Sequence, residues 1–107
     1  MPQYVLYSAL MVIAKVSKAF SDENRIKIVG FLSEGPKNVS QVADKLNVEE
    51  NLASHHLRVL AALGFLRNDK KGREVFYRIN ETKFISLIKD LKRNETFKDL
   101  LLKALED

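Results

Sequence analysis

Asn51, Ser54, His55 and Arg58 fall together inside the run NLASHHLR. Drawn at about 100° per residue, they share one side of a helix, with Ala62 beyond them, while Ala53, Leu57, Leu60 and Leu63 share the other. The chemistry open to such a face is recognition of base edges. Asparagine pairs twice with adenine and arginine twice with guanine. Small polar neighbours let a helix backbone lie close to a groove floor. Any solvated helix face has a similar composition, so the surrounding elements must decide. A second group lies just downstream: Arg67, Lys70, Lys71, Arg73 and Arg78, against Asp69 and Glu74. A cationic hairpin beside a recognition helix would touch phosphates, fixing register and adding salt-dependent affinity. Lysine-rich hairpin tips also serve solubility and edge protection. Glu49 and Glu50 stand where the helix would begin. Both suit the positive end of the helix, and either could accept from cytosine N4; the capping role is the expectation.

Other chemistries are poorly supplied. The chain has no cysteine, which excludes disulfides and thiolate metal sites. His55 and His56 are adjacent and point about 100° apart on a helix, so they do not share a ligand site; His56 falls toward the apolar side, as a satisfied, semi-buried histidine. No nucleophile–base pair and no glycine-rich phosphate loop is present, so no enzyme is expected and no cofactor is implied. Lys and Arg outnumber Asp and Glu 18 to 14, for a net charge of +4, an excess that permits a polyanionic partner without demanding one. The apolar stretch from Tyr4 to Ile13 is far short of the ~20 residues of a membrane span. No basic region precedes it, so it is a poor signal peptide, and a cytoplasmic protein is the simplest reading. The N-x-S/T triplets at Asn38, Asn80 and Asn94 read as turn and helix-cap chemistry.

The elements that would position these groups follow from periodicity and punctuation. A chain of 107 residues fits one domain, 1–107. A first helix spans about Gln3 to Ala19, and Tyr4, Val5, Leu6, Tyr7, Leu10, Met11, Val12, Ile13 and Val16 cover nearly its whole circumference; a helix apolar all round needs cover on every side, which a second subunit would supply. Ser21 is the expected N-cap of a second helix, with Ile26, Val29 and Leu32 inward and Gly35-Pro36 as its stop. Ser40 is the expected cap of a short third helix, with Val42, Ala43 and Leu46 inward. After an Asn47-Val48 turn, a fourth helix runs from about Glu50 to Leu63, ended by Gly64. Phe65 to Asn68 and Arg73 to Ile79 read as strands around an Asp69-Lys70-Lys71-Gly72 turn. Thr82 to Leu105 is helical with a possible break at Asn94; Leu87, Ile88 and Leu91 line its first half, and Phe97, Leu100, Leu101 and Leu105 its second. The order ααααββα is a mainly α, α+β winged helix-turn-helix.

From Phe20 to about Arg93 the sequence resembles the ArsR/SmtB family of winged-helix regulators, through SDENRIKIVGFL, VSQVADKLNV, NLASHHLRVLAALGFL and KKGREVFYRIN. The resemblance implies a homodimer formed through the first and last helices, 1–19 and 82–107. Its two recognition helices would enter successive major grooves of an inverted-repeat operator. It implies DNA-facing roles for Gln41 at the start of the third helix, then Asn51, Ser54, His55 and Arg58, with Lys70, Lys71 and Arg73 in the wing. Many members sense metals through a Cys-containing box on the third helix or Asp and His ligands on the last; here the first has no Cys and the second no His, so no metal site carries over and no effector is implied. Glu49-Glu50 also replace the small polar residues usual there. Two readings follow: a dimeric DNA-binding transcriptional regulator, acting as a repressor, or a winged-helix protein-interaction module, which Glu49, Glu50 and the modest net charge would favour.

Overall fold

The computed structural model describes residues 3–93, 95–104 and 106, the side chains of 3–6, 8, 9, 97 and 101 excepted. Its elements are α1 (Gln3–Ala19), α2 (Glu23–Leu32), β1 (Lys37–Asn38), α3 (Val39–Leu46), α4 (Glu50–Ala62), β2 (Leu66–Lys71), β3 (Glu74–Ile79), α5 (Glu81–Lys92) and α6 (Glu95–Ala104). The expected order holds, with one addition: a two-residue strand, β1, precedes α3. The last helical segment is divided into α5 and α6, in keeping with the break expected there. Asn94, the expected break, lies outside the described residues, as do Leu105 and the side chains of Phe97, Leu101, Tyr4, Val5 and Leu6.

Helix ends are set by side chains that satisfy orphan backbone groups. The N-cap of α2 is Asp22, not Ser21: its carboxylate accepts from the Asn24 N–H at 2.7 Å. Ser21 is engaged by the preceding helix. Its hydroxyl donates to the Lys18 carbonyl, while Arg25 donates through Nε to the Ala19 carbonyl at 2.9 Å. The cap of α3 is Asn38, not Ser40. Asn38 Oδ1 accepts from the Gln41 N–H and Gln41 Oε1 accepts from the Asn38 N–H, both at 2.8 Å, a reciprocal capping box. Asn80 caps α5 and also donates through Nδ2 to the Gly64 carbonyl at 2.9 Å. Two of the three N-x-S/T asparagines are therefore helix caps.

The α3–α4 turn and the end of α4 use the same device. Asn47 takes the left-handed conformation (φ 55°), and the Val48 N–H donates back to the Ala43 carbonyl at 3.0 Å. Gly64 (φ 90°) lets the Phe65 N–H reach the Leu60 carbonyl at 2.9 Å while its own N–H reaches Ala61. Each helix thus stops with its last carbonyls paired, and the chain leaves in a fixed direction.

The sheet has the order β1-β3-β2, all antiparallel. The hairpin turn is the pair Gly72-Arg73, not Asp69 to Gly72. Gly72 has φ 64° and Arg73 a negative φ, the sign pattern of a two-residue II′ turn, so β2 continues through Lys71. The core gathers Ile28, Leu32, Val42, Ala43, Ala53, Leu57, Leu60, Phe65, Leu66, Tyr77 and Leu87, with Val12 and Ala19 from α1. In α2 the buried members are Ile28 and Leu32, while Val29 is half-buried and Ile26 exposed; on α5 Leu87 is buried and Ile88 exposed.

Candidate nucleic-acid interface

α4 is held by its apolar side. Ala53, His56, Leu57 and Leu60 are buried, Leu63 is half-buried, and α3 and β2 pack against the helix. The opposite side is open: Asn51, His55 and Arg58 are exposed and Ser54 half-buried. These four occupy successive turns of one face, as the 3.6-residue period requires.

A groove of about 440 Å³ joins the start of this helix to the start of α3 and the hairpin. Asn51, Ser54, Arg73, Glu50 and Glu74 are among its lining residues. It brings together three of the expected contact residues, Asn51, Ser54 and Arg73. His55 and Arg58 lie further along α4, and Gln41 lies outside the groove at the third position of α3. Gln41 is exposed, but its carbonyl oxygen is committed to the capping box. Its amide N–H groups are the part it can offer to a phosphate.

The register divides the wing cations. Lys70 is opposite Val75 and Lys71 opposite Glu74, so the two lysines point to opposite faces of the hairpin. Lys70 shares its face with Val75, and Lys71 shares the other with Glu74 and Phe76, its Nζ 5.5 Å above the Phe76 ring; the groove is lined from both faces, by Val75 and by Glu74. Arg78 is paired with Asp69 at 3.2 Å, whereas Lys70, Lys71 and Arg73 form no ion pair among the described residues.

The acidic residues are placed less simply than the sequence suggests. Glu49 occupies the N-cap position of α4, but its side chain forms no capping hydrogen bond. Glu74 was not foreseen as a groove residue. It comes within 3.4 Å of Asn38 Nδ2, linking the wing to the start of α3, and only the strand register could have revealed this.

His56 is buried, as its place on the wheel predicts, but it is not satisfied. Nδ1 has no hydrogen-bond partner among the described residues, and Nε2 lies 3.9 Å from Asp22, too far for a hydrogen bond. Burial pushes its pKa down; Asp22 raises it, and Arg25 and His55 reinforce the lowering. The native state therefore prefers the neutral ring, and the unfolded chain binds more protons on acidification. Stability from this residue is present in full above the unfolded value of about 6.5 and declines as pH falls through it toward the lower folded value. Urea midpoints between pH 7.5 and 5.5 should fall in the native sequence and fall less in His56→Gln. Equal slopes would show that His56 is not the titrating group.

No cluster of three or more His, Cys, Asp or Glu suited to a metal ion is formed among the described residues, and none of the described helices is long and apolar enough to cross a membrane.

A short capped helix, a left-handed asparagine turn, an open-faced helix and a two-stranded wing make this a winged helix-turn-helix domain. Residues 22–68 match the family described as bacterial regulatory protein, arsR family. An ArsR-like transcriptional regulator from Rhodococcus sp. RHA1 superposes with a TM-score of 0.72 at 30% identity, covering 90% of this chain and 91% of that one. The chain belongs to the ArsR family. It is also 43% identical over 72 residues to a Staphylococcus aureus homolog of the cadmium resistance transcriptional regulatory protein CadC, covering 66% of this chain and 60% of that protein's length. The homodimeric winged helix-turn-helix DNA-binding domain Mb0332 from Mycobacterium bovis superposes with a TM-score of 0.65 at 25% identity, over 91% of this chain and 84% of that one.

Proposed function

We propose that the protein is a homodimer that binds double-stranded DNA sequence-specifically and represses transcription in the cytoplasm, without the metal sites of many of its family. The observation that carries this reading is the open row Asn51, Ser54, His55 and Arg58, anchored from behind by a buried stripe and flanked by the wing cations Lys70, Lys71 and Arg73, which form no ion pair among the described residues. Base contacts come from α4 in the major groove. Phosphate contacts come from Lys70, Lys71 and Arg73, with Gln41 at the start of α3. Chain 1–107 acts as one domain. Its partner surface is α1 with the last two helices: Tyr7, Leu10, Met11 and Ile13 on α1, Ile85 and Ile88 on α5, and Leu100 and Leu102 on α6 are large apolar side chains left exposed. That the Mycobacterium bovis neighbour is homodimeric supports a homodimer, and the exposed apolar side chains support this surface for it. A dimer seated on an inverted repeat covers the DNA it reads and competes directly with other proteins for it, which favours repression. Absence of cysteine supports control by something other than a thiolate-bound metal.

Selection of bound duplexes from a random pool, followed by anisotropy titration, tests this. The selected sequence should be an inverted repeat, with binding that weakens steeply as salt rises. Arg58→Ala should lose about 1–3 kcal/mol on that sequence and relax preference at one position per half-site. The competing reading, a protein-interaction module, is favoured by Glu50 and Glu74 in the groove. It predicts that no duplex is retained at physiological salt.

A further inference from the structure

Glu50 continues the row of Ser54 and Arg58 by one turn, at the four-residue spacing that stacks side chains along a helix. It is exposed, stands in the first turn of α4 and lines the same groove as Asn51, Ser54 and Arg73. Beyond the general attraction of the helix N-terminus, its carboxylate is free: no ion pair and no side-chain hydrogen bond holds it among the described residues. Glu74, the other acid of this groove, is by contrast tied to Asn38. An untied carboxylate at the leading end of a recognition helix repels phosphates, which costs affinity on every sequence. The base edge that offsets this cost in the major groove is the exocyclic amine of cytosine, since guanine and thymine present acceptors there and adenine pairs its amine with an acceptor at N7.

Resting on the DNA-binding reading above, we propose that Glu50 is a specificity-determining residue that accepts a hydrogen bond from cytosine N4 at one position of each half-site. Glu50 and Arg58 are separated by about 12 Å of helix rise, roughly three to four base steps. A cytosine read by Glu50 and a guanine read by Arg58 thus stand near opposite ends of the recognised stretch. The same carboxylate excludes sequences carrying thymine or guanine there by facing their acceptor oxygens.

Selection from a random duplex pool with the full chain, its Glu50→Ala, Glu50→Gln and Glu49→Ala variants tests the assignment. The native chain should select one cytosine per half-site with about tenfold discrimination or more. Glu50→Ala should lose preference at that position alone and bind unrelated duplex more tightly, because a repelling charge is gone. Glu50→Gln should move the preference toward adenine, which an amide pairs with twice. Glu49→Ala should keep the cytosine, because Glu49 does not line the groove. Unchanged selection by Glu50→Ala in a chain that still binds DNA would overturn the role of Glu50 and leave the DNA-binding reading standing. Failure of the native chain to retain any duplex would overturn both.

Discussion

Replacing Phe65 by alanine is expected to lower the unfolding free energy by about 3–5 kcal/mol, the cost of emptying a fully buried aromatic site. A chain of this size holds roughly 5–15 kcal/mol in total, so the variant should be marginal at best. Phe65 is fully buried and touches two other rings, Phe20 at 5.3 Å between centroids and Phe84 at 5.2 Å. Those rings follow α1 and lie on α5, so the three phenylalanines clamp the expected dimer helices to the start of the wing. The backbone of Phe65 is equally committed: its N–H ends α4 through Leu60, and its carbonyl accepts from the Asn80 N–H at 2.9 Å. Urea denaturation followed by far-UV circular dichroism would read the effect as a lower midpoint at unchanged slope. Phe65→Leu, which retains much of the volume, should lose clearly less. A midpoint for Phe65→Ala within experimental error of the native chain would show that the cluster does not hold these elements together.

The helices were legible because each has a strong local signature. The apolar stripe Ala53, Leu57 and Leu60 fixed both the existence of α4 and the side it buries, and the exposed row followed from the same period. Caps were less legible where two residues competed. Ser21 and Asp22 both suit an N-cap, and the choice was made by the end of α1, whose carbonyls occupy the Ser21 hydroxyl and Arg25. At α3 a better signal was present, since Asn38 and Gln41 have the spacing of a reciprocal capping box. The wing was legible as a hairpin but not in its register. Arg67 to Lys71 is wholly polar, with no alternation to mark a strand, and its pairing is imposed by the turn at Gly72-Arg73. β1 has only two residues and exists through its pairing with Tyr77 and Phe76 of β3, a long-range contact without local pattern.

The candidate site divides along the same line. Asn51, Ser54, His55 and Arg58 share a face because a helix makes them share it, and the sequence contains that fact. Which wing cations stand beside them depends on register, and so does the approach of Glu74 to Asn38. The unsatisfied Nδ1 of His56 was likewise out of reach, since it depends on how the end of α1 and the cap of α2 meet α4.

Neutralising the wing should have the largest effect on DNA affinity. Lys70, Lys71 and Arg73 are exposed and unpaired among the described residues, while Arg78 is partly neutralised by Asp69. If each of the three meets one phosphate, a dimer places six on the backbone. Each contact contributes about 0.9 to the dependence of log K on log salt, so Lys70→Ala/Lys71→Ala/Arg73→Ala should reduce that slope by about 5. Between 50 and 200 mM salt the native chain should therefore weaken roughly a thousandfold more than the triple variant does. The loss should be nearly uniform across sequences, because phosphates carry no base identity, and the selected half-site should be unchanged. Among single variants Lys71→Ala should cost least, since the Lys71 ammonium is already engaged over the Phe76 ring. Anisotropy titrations across a salt series would decide the matter. A triple variant with the native slope would place the phosphate contacts elsewhere on the domain and remove the wing from the interface, while leaving the reading of α4 to be judged by Arg58→Ala.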